Sequence, residues 1–338
     1  MNFQPNELRE LRGAYEGRRV LITGGLGFIG SNLAIALVEL GAAVSLVDAL
    51  FPDHGGNWYN VWPVMRKVSV VVADMRDQAR MLALVEGQEY IFNLAGQVSH
   101  VDSMEEPQTD LEMNCRAQLS LLEACRRRNP LAKIIYASTR QIYGRPRYLP
   151  VDEEHPLQPT DVNGIHKMAA EWYHRVYARV YGLATCSLRL TNTYGPRLRI
   201  RDARQTFLGW WIRQAVAGEE ILVYGDGRQM RDFTYIDDVV RAFLLTGCRA
   251  LFQGEAYNLG GCEVVALADL AALLVDLAGR GCYRLVPWPE ERLAIDIGSY
   301  TGNYQRAREV LGWQPVVPLR AGLAQTLDYY RANWEHYA

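Results

Sequence analysis

The stretch Val20-Leu21-Ile22-Thr23-Gly24-Gly25-Leu26-Gly27-Phe28-Ile29-Gly30-Ser31-Asn32 leaves the chain few folds to choose from. It opens on an apolar run the length of a buried strand and turns on glycines at 24, 27 and 30. A helical pattern then runs through Leu33, Ile35, Leu37 and Leu40 until Gly41 ends it. A strand, a glycine turn and a helix in that order aim backbone N–H groups and a helix N-terminus at a pyrophosphate. Gly24 makes the tight turn, Gly27 lets the backbone approach the phosphates, and Gly30 lets helix and strand pack closely. An ordinary tight turn would use the same glycines, so the next unit decides. Val44-Ser45-Leu46-Val47 reads as a second strand with Asp48 at its end, about 20 residues on. A carboxylate there accepts the adenosine ribose hydroxyls and repels a 2′-phosphate. The expected cofactor is NAD.

With 338 residues, nearly half of them apolar, the chain has material for about two domains and a large core. A formal charge of −2 gives no electrostatic case for nucleic acid or a membrane surface. Six scattered cysteines without a CxxC pair suit free thiols in a reducing compartment. No apolar run approaches the ~20 residues of a membrane span, and the N-terminal segment has no apolar signal core, so the expected location is cytoplasmic. HExxH, Walker lysine, zinc-type Cys/His and GxSxG patterns are all missing, and no metal is expected.

Val68 to Val72 reads as a strand ending in Ala73-Asp74-Met75, where Asp74 either meets the adenine or caps a helix. Tyr90 to Gly96 is a fourth strand, closing on Leu94, Ala95 and Gly96 where the cofactor backbone would pass. A helix is expected from Asp110 to Arg127, with Asn114 on a solvated face or fixing the active-site backbone. Lys133 to Ser138 is a buried strand. Ligands of parallel sheets lie beyond the carboxyl ends of the strands, so Ser138-Thr139-Arg140-Gln141 occupies the reactive edge. Thr139 there caps a turn or bonds a substrate oxygen. The spacing predicts a helix from Val162 to Tyr181, stopped by Gly182, with a buried stripe of Met168, Trp172, Val176 and Val180. Asn163 and Lys167 share one of its faces. After a strand over Thr185–Leu190 come Arg197, Arg199, Arg201 and Arg204, a solvated face or a cradle for an anionic diphosphate.

Together these pieces resemble the extended short-chain dehydrogenase/reductase superfamily, in particular the NAD-dependent nucleotide-sugar epimerases and dehydratases. The carrying motifs are Thr23 to Gly30, Asn93-Leu94-Ala95-Gly96, Asn192-Thr193-Tyr194-Gly195-Pro196, Arg231 to Asp238 and Tyr257-Asn258-Leu259-Gly260-Gly261. The resemblance implies an α/β fold: a Rossmann doubly wound parallel sheet from residues 1–193 and 230–260, and a smaller C-terminal α/β substrate-binding domain from 194–229 and 261–338. It implies that Phe28, Ile29 and Met75 join the cofactor site. Gln97, Ser99, Gln141 and Asn192 would face a nucleoside diphosphate sugar, with Arg197, Arg204 and Arg231 toward its diphosphate. Thr139 would bond the sugar hydroxyl, and Lys167 would bond the nicotinamide ribose. A homodimer is implied through a helix pair that includes Glu171 to Arg179.

Family members read Tyr-x-x-x-Lys, and the tyrosinate takes the sugar hydroxyl proton. This chain reads Asn163-Gly164-Ile165-His166-Lys167. An amide is no base at neutral pH, and losing general-base help costs about 10²–10⁴ in rate. The whole segment departs from the usual Tyr-Gly-x-Ser-Lys, which marks a natural variant. Replacement candidates are His166, since histidine ordinarily titrates near neutrality, Thr139 relaying to water, Tyr143 and Tyr194. Family dehydratases carry Asp and Glu directly after the Ser/Thr, and decarboxylases keep a Glu at the second position. Arg140 and Gln141 stand there instead. Epimerisation needs the fewest extra acids and is the expected reaction. A dehydratase or decarboxylase, and a nucleotide-sugar binding protein with structural NAD, are the alternatives.

Overall fold

The computed structural model describes residues 3–52 and 54–338. Its strands in chain order are β1 (Arg19–Thr23), β2 (Ala43–Asp48), β3 (Val68–Val72), β4 (Tyr90–Asn93), β5 (Lys133–Thr139) and β6 (Ala184–Leu190), followed by β7 (Asn192–Tyr194), β8 (Glu220–Tyr224), β9 (Met230–Tyr235), β10 (Gln253–Asn258), β11 (Val264–Ala266) and β12 (Cys282–Val286). Seven of them form one parallel sheet in the order β10-β6-β5-β4-β1-β2-β3. The order reverses between β1 and β4, which opens a crevice at their carboxyl ends. Val20, Leu21, Ile22, Ile91, Phe92, Ile134 and Ile135 are fully buried, because helices cover both faces and the central strands are apolar throughout.

The helices that matter are α1 (Pro5–Tyr15), α2 (Phe28–Glu39), α3 (Gln78–Val85), α4 (His100–Glu105), α5 (Pro107–Leu111), α6 (Ala117–Arg128), α7 (Val162–Tyr181), α8 (Phe207–Ala217), α9 (Ile236–Arg249) and α10 (Leu267–Ala278). A smaller lobe holds a three-stranded sheet, β11-β9-β7, and the parallel pair β12-β8, with α8, α10 and the Leu319–Ala332 helix packed together. The stretch 230–260 is divided between the layers. β9 belongs to the small sheet, while α9 packs on the large sheet and β10 forms its edge. Among the described residues no helix is long and apolar enough to cross a membrane.

Two local expectations need correction. The helix expected from Asp110 is three pieces: α5 with Pro107 in its first turn, one wide π-turn at Glu112–Arg116, and α6. The second correction concerns α7. Trp172, Val176 and Val180 are 45, 44 and 59 % exposed, and Met168 is only partly buried. The buried face carries Asn163, Lys167, Ala170, Glu171 and His174. Helical spacing is kept, but this face is polar because it borders the reactive edge and a buried ion pair. Glu171 there meets Arg189 at 2.5 Å and accepts the Ser138 hydroxyl at 2.6 Å. Arg189 also donates to the Tyr143 hydroxyl, which donates to Asn258. These bonds tie α7, β5, β6 and β10 together beneath the site.

Candidate active site

One cavity runs along the carboxyl edge of the large sheet, from the β2 end across the glycine turn to the ends of β5 and β6. Gly24 takes φ +65°, where a side chain would be strained, and accepts the Gly27 N–H at 3.0 Å. A Cβ on Gly30 would overlap the Gly24 carbonyl oxygen, so α2 can start against β1 only with glycine there. Gly24, Gly27, Phe28, Ile29 and Gly30 all line the cavity. Leu94, Ala95 and Gly96 form the facing wall. Their backbone is held by the Thr23 hydroxyl, which accepts the Leu94 and Ala95 N–H groups and donates to Asn93.

At the far end Asp48 accepts N–H bonds from Leu26 (3.0 Å) and Leu50 (2.9 Å) and lines the cavity. Burial pushes its carboxyl above the ordinary value, with these bonds acting the other way. Its remaining lone pairs suit ribose hydroxyls. Asp74 and Met75 line the same end. Burial would raise Asp74, but the Arg76 bonds outweigh it and hold its carboxyl below the usual value. The cap of α3 is Asp77, which accepts the Arg80 N–H. Asn114 sits on the π-turn and donates to the Gln97 carbonyl at 3.1 Å. A Cβ on Gly96 would stand 2.5 Å from Asn114 Oδ1 and 2.9 Å from Lys167 Nζ. This cradle of open backbone, glycine contacts and a ribose-side carboxylate fits NAD.

The reactive end gathers Thr139, Arg140, Gln141, Asn163, Lys167 and Asn192. Thr139 both lines the cavity and caps its own turn, accepting the Gln141 N–H at 3.2 Å. Gln141 donates to Asp161 at 2.6 Å, and Asn192 accepts from Arg140 at 2.9 Å. Burial pushes the Lys167 ammonium down to about 8, against the pull of Asp110. Asn163 donates through Nδ2 to the Gln97 carbonyl and to Asp110, each at 2.9 Å. These bonds fix the side chain, and an amide has no basicity at neutral pH.

His166 is not in the cavity. One residue before Lys167, it is turned about 100° around the helix, and its Nδ1 lies 2.7 Å from Asp110 Oδ1. Tyr143 and Tyr194 are fully buried, and burial drives both phenols far above their ordinary value. Five expected substrate contacts do not line the cavity. Ser99 caps α4, and the Gln97 carbonyl takes Asn114 and Asn163. Arg197 binds Asn60 and Asn32 across the α2 side, and Arg204 is exposed. Arg231 is buried against Met230, Gly298 and Gln229, with Asp296 at 3.5 Å.

A group absent from the sequence reading does line the cavity: His100, the first residue of α4. Its Nδ1 lies 3.0 Å from Oδ2 of the buried Asp161, within ion-pair reach but off hydrogen-bond alignment. No bond engages its Nε2 among the described residues. Ser99 is the available signal. A serine N-cap just past the β4 end starts a helix whose first turn meets the reactive edge.

Residues 20–260 match the NAD dependent epimerase/dehydratase family. The UDP-glucose 4-epimerase of Mycolicibacterium smegmatis is 31% identical over 321 residues, covering 93% of this chain and 98% of that protein. The UDP-glucose 4-epimerase of Thermotoga maritima, solved with UDP-glucose, superposes with a TM-score of 0.84 at 32% identity, covering 94% of this chain and 99% of the other. MoeE5, solved with UDP-glucuronic acid and NAD, gives 0.81 at 28% identity, covering 93% and 99%. With a family match over most of its length and a glycine cradle shaped for the dinucleotide, this chain belongs to the NAD dependent epimerase/dehydratase family.

Proposed function

We propose that the chain is an NAD-dependent epimerase of nucleoside diphosphate sugars, with uridine as the nucleoside as in the UDP-glucose 4-epimerases it is similar to, and that His100 takes the proton a tyrosine takes elsewhere. The observation that carries this reading is an imidazole backed by a buried carboxylate in the same cavity as Thr139 and Lys167. NAD held against the glycine turn supplies the group that accepts a hydride from the sugar and returns it. Thr139 receives the reacting hydroxyl, and His100 Nε2 accepts its proton and later gives it back. Asp161 stands beside the ring and balances the imidazolium. Lys167 holds the nicotinamide ribose, and Asn163 braces the Gln97 backbone.

Elimination of water finds little support, because Asp48 and Asp74 are the carboxylates that line the cavity among the described residues, and both stand at the adenosine end. Incubation with UDP-, dTDP-, GDP- and CDP-sugars, with products resolved by anion exchange, tests the reading. A new isomer from at least one of them is expected, and none from any contradicts it. A homodimer through α7 is part of the same proposal, supported by the apolar face of Trp172, Val176 and Val180 that a single chain leaves in water.

A further inference from the structure

The reactive end holds a charge that the proton and cofactor chemistry leaves idle. Arg140 follows Thr139 on the turn that closes β5 and lines the cavity beside it. Its Nη2 donates to Asn192 Oδ1, and its guanidinium lies 5.2 Å from the centre of the Tyr300 ring. Nη1 is buried without a hydrogen-bond partner. Among the described residues no carboxylate stands within ion-pair distance of Arg140, although the buried Arg189 has Glu171 and Arg231 has Asp296.

The acids in its neighbourhood are committed. Asp161 takes Gln141 and His100. Asp232 takes the Thr191 hydroxyl and the Gly302 N–H. Asp296 takes Gln229 and the Gly298 N–H beside Arg231. Burial pulls Arg140 below its ordinary pKa, so the fold spends free energy to keep this charge where it is.

A planar guanidinium in a cavity wall with no anion beside it is matched by a carboxylate, which accepts its N–H bonds and balances the charge. Sugar hydroxyls leave the charge unbalanced. The geometry points to a nucleoside diphosphate sugar acid as the substrate class, its carboxylate held by Arg140 beside the hydroxyl that Thr139 receives. This rests on the nucleotide-sugar reading above. The diphosphate is the competing anion, and the two assignments differ in what Arg140 does for UDP alone.

Calorimetric titration of the NAD-loaded protein with UDP, UDP-glucose and UDP-glucuronate separates them. Wild-type protein is expected to hold UDP-glucuronate at least about ten-fold more tightly than UDP-glucose. Arg140→Gln is expected to erase that ratio while UDP affinity stays within about two-fold, and Arg140→Lys to keep part of it. Equal wild-type affinity for the two sugars overturns the proposal. A ratio that survives in Arg140→Gln also overturns it. Parallel weakening of all three ligands in Arg140→Gln, with Arg140→Lys restoring all three, overturns it by assigning the arginine to the diphosphate. No binding of any ligand to wild-type protein removes the nucleotide-sugar reading itself, and this one with it.

Discussion

His100 and Lys167 line one cavity, and each makes a separate prediction. His100→Asn keeps a polar side chain of similar reach but loses the base. Turnover is expected to fall by about 10²–10⁴, with bound NAD per chain unchanged when released by denaturation and counted. Full turnover would return the proton to some other group. Lys167 titrates at about 8, below its ordinary 10.5. Between those values the unfolded chain holds a proton that the folded chain lacks, so stability rises with pH across that window. Below it both states are protonated, and burying the ammonium costs about 3 kcal/mol. Lys167→Met removes this cost. In cofactor-free protein its urea midpoint should exceed wild type most at neutral pH, and the gap should close toward pH 10.5. A gap independent of pH would contradict the buried ammonium. At this scale the glycines, Asp48, Thr139 and Lys167 are legible in sequence, because each is pinned to a strand end or to a partner four residues away. The arginines are not. Arg197 and Arg231 bond carbonyls 137 and 67 residues distant, and nothing in a charge run records which backbone it will meet.

Helix α7 shows how far periodicity reaches at the level of one element. Its length and its Gly182 stop are readable from spacing and turn chemistry. Which stripe faces inward is not, since apolar residues mark the buried face only when the neighbour is apolar. Here the neighbour is the Glu171–Arg189 pair under β5 and β6. Glu171→Ala leaves the Arg189 guanidinium buried and unpaired, an expected loss of about 3–5 kcal/mol measurable by denaturant unfolding. A loss under about 1 kcal/mol would mean that Tyr143 alone satisfies Arg189. On the opposite face, Trp172→Glu places a charge in the proposed dimer contact. Sedimentation should show dimer for wild type and monomer for the variant, and a wild-type monomer would dismiss the contact.

Over the whole molecule, a parallel sheet with its site at the carboxyl edge follows from alternating apolar runs and helical stretches in the sequence, while the doubly wound order is what the family resemblance implies. The assignment of 230–260 to the large sheet is only half realised. Whether β9 joins that sheet or the smaller one is decided by long-range pairing with β7 and β11. His100 escapes the sequence for a related reason, since Asp161 lies 61 residues further along and meets it only once α4 and α7 pack. The fold thereby brings the His100 imidazole to the cavity that Asn163 also lines.

The most direct test of the account is rapid mixing of NAD-loaded protein with UDP-glucuronate and UDP-glucose while following the near-ultraviolet absorbance of reduced nicotinamide. A transient that rises and decays as the epimer appears is expected in wild type and strongly diminished in His100→Asn. A silent spectrum despite measurable binding of the sugar nucleotide would contradict it and leave a binding protein with a structural cofactor.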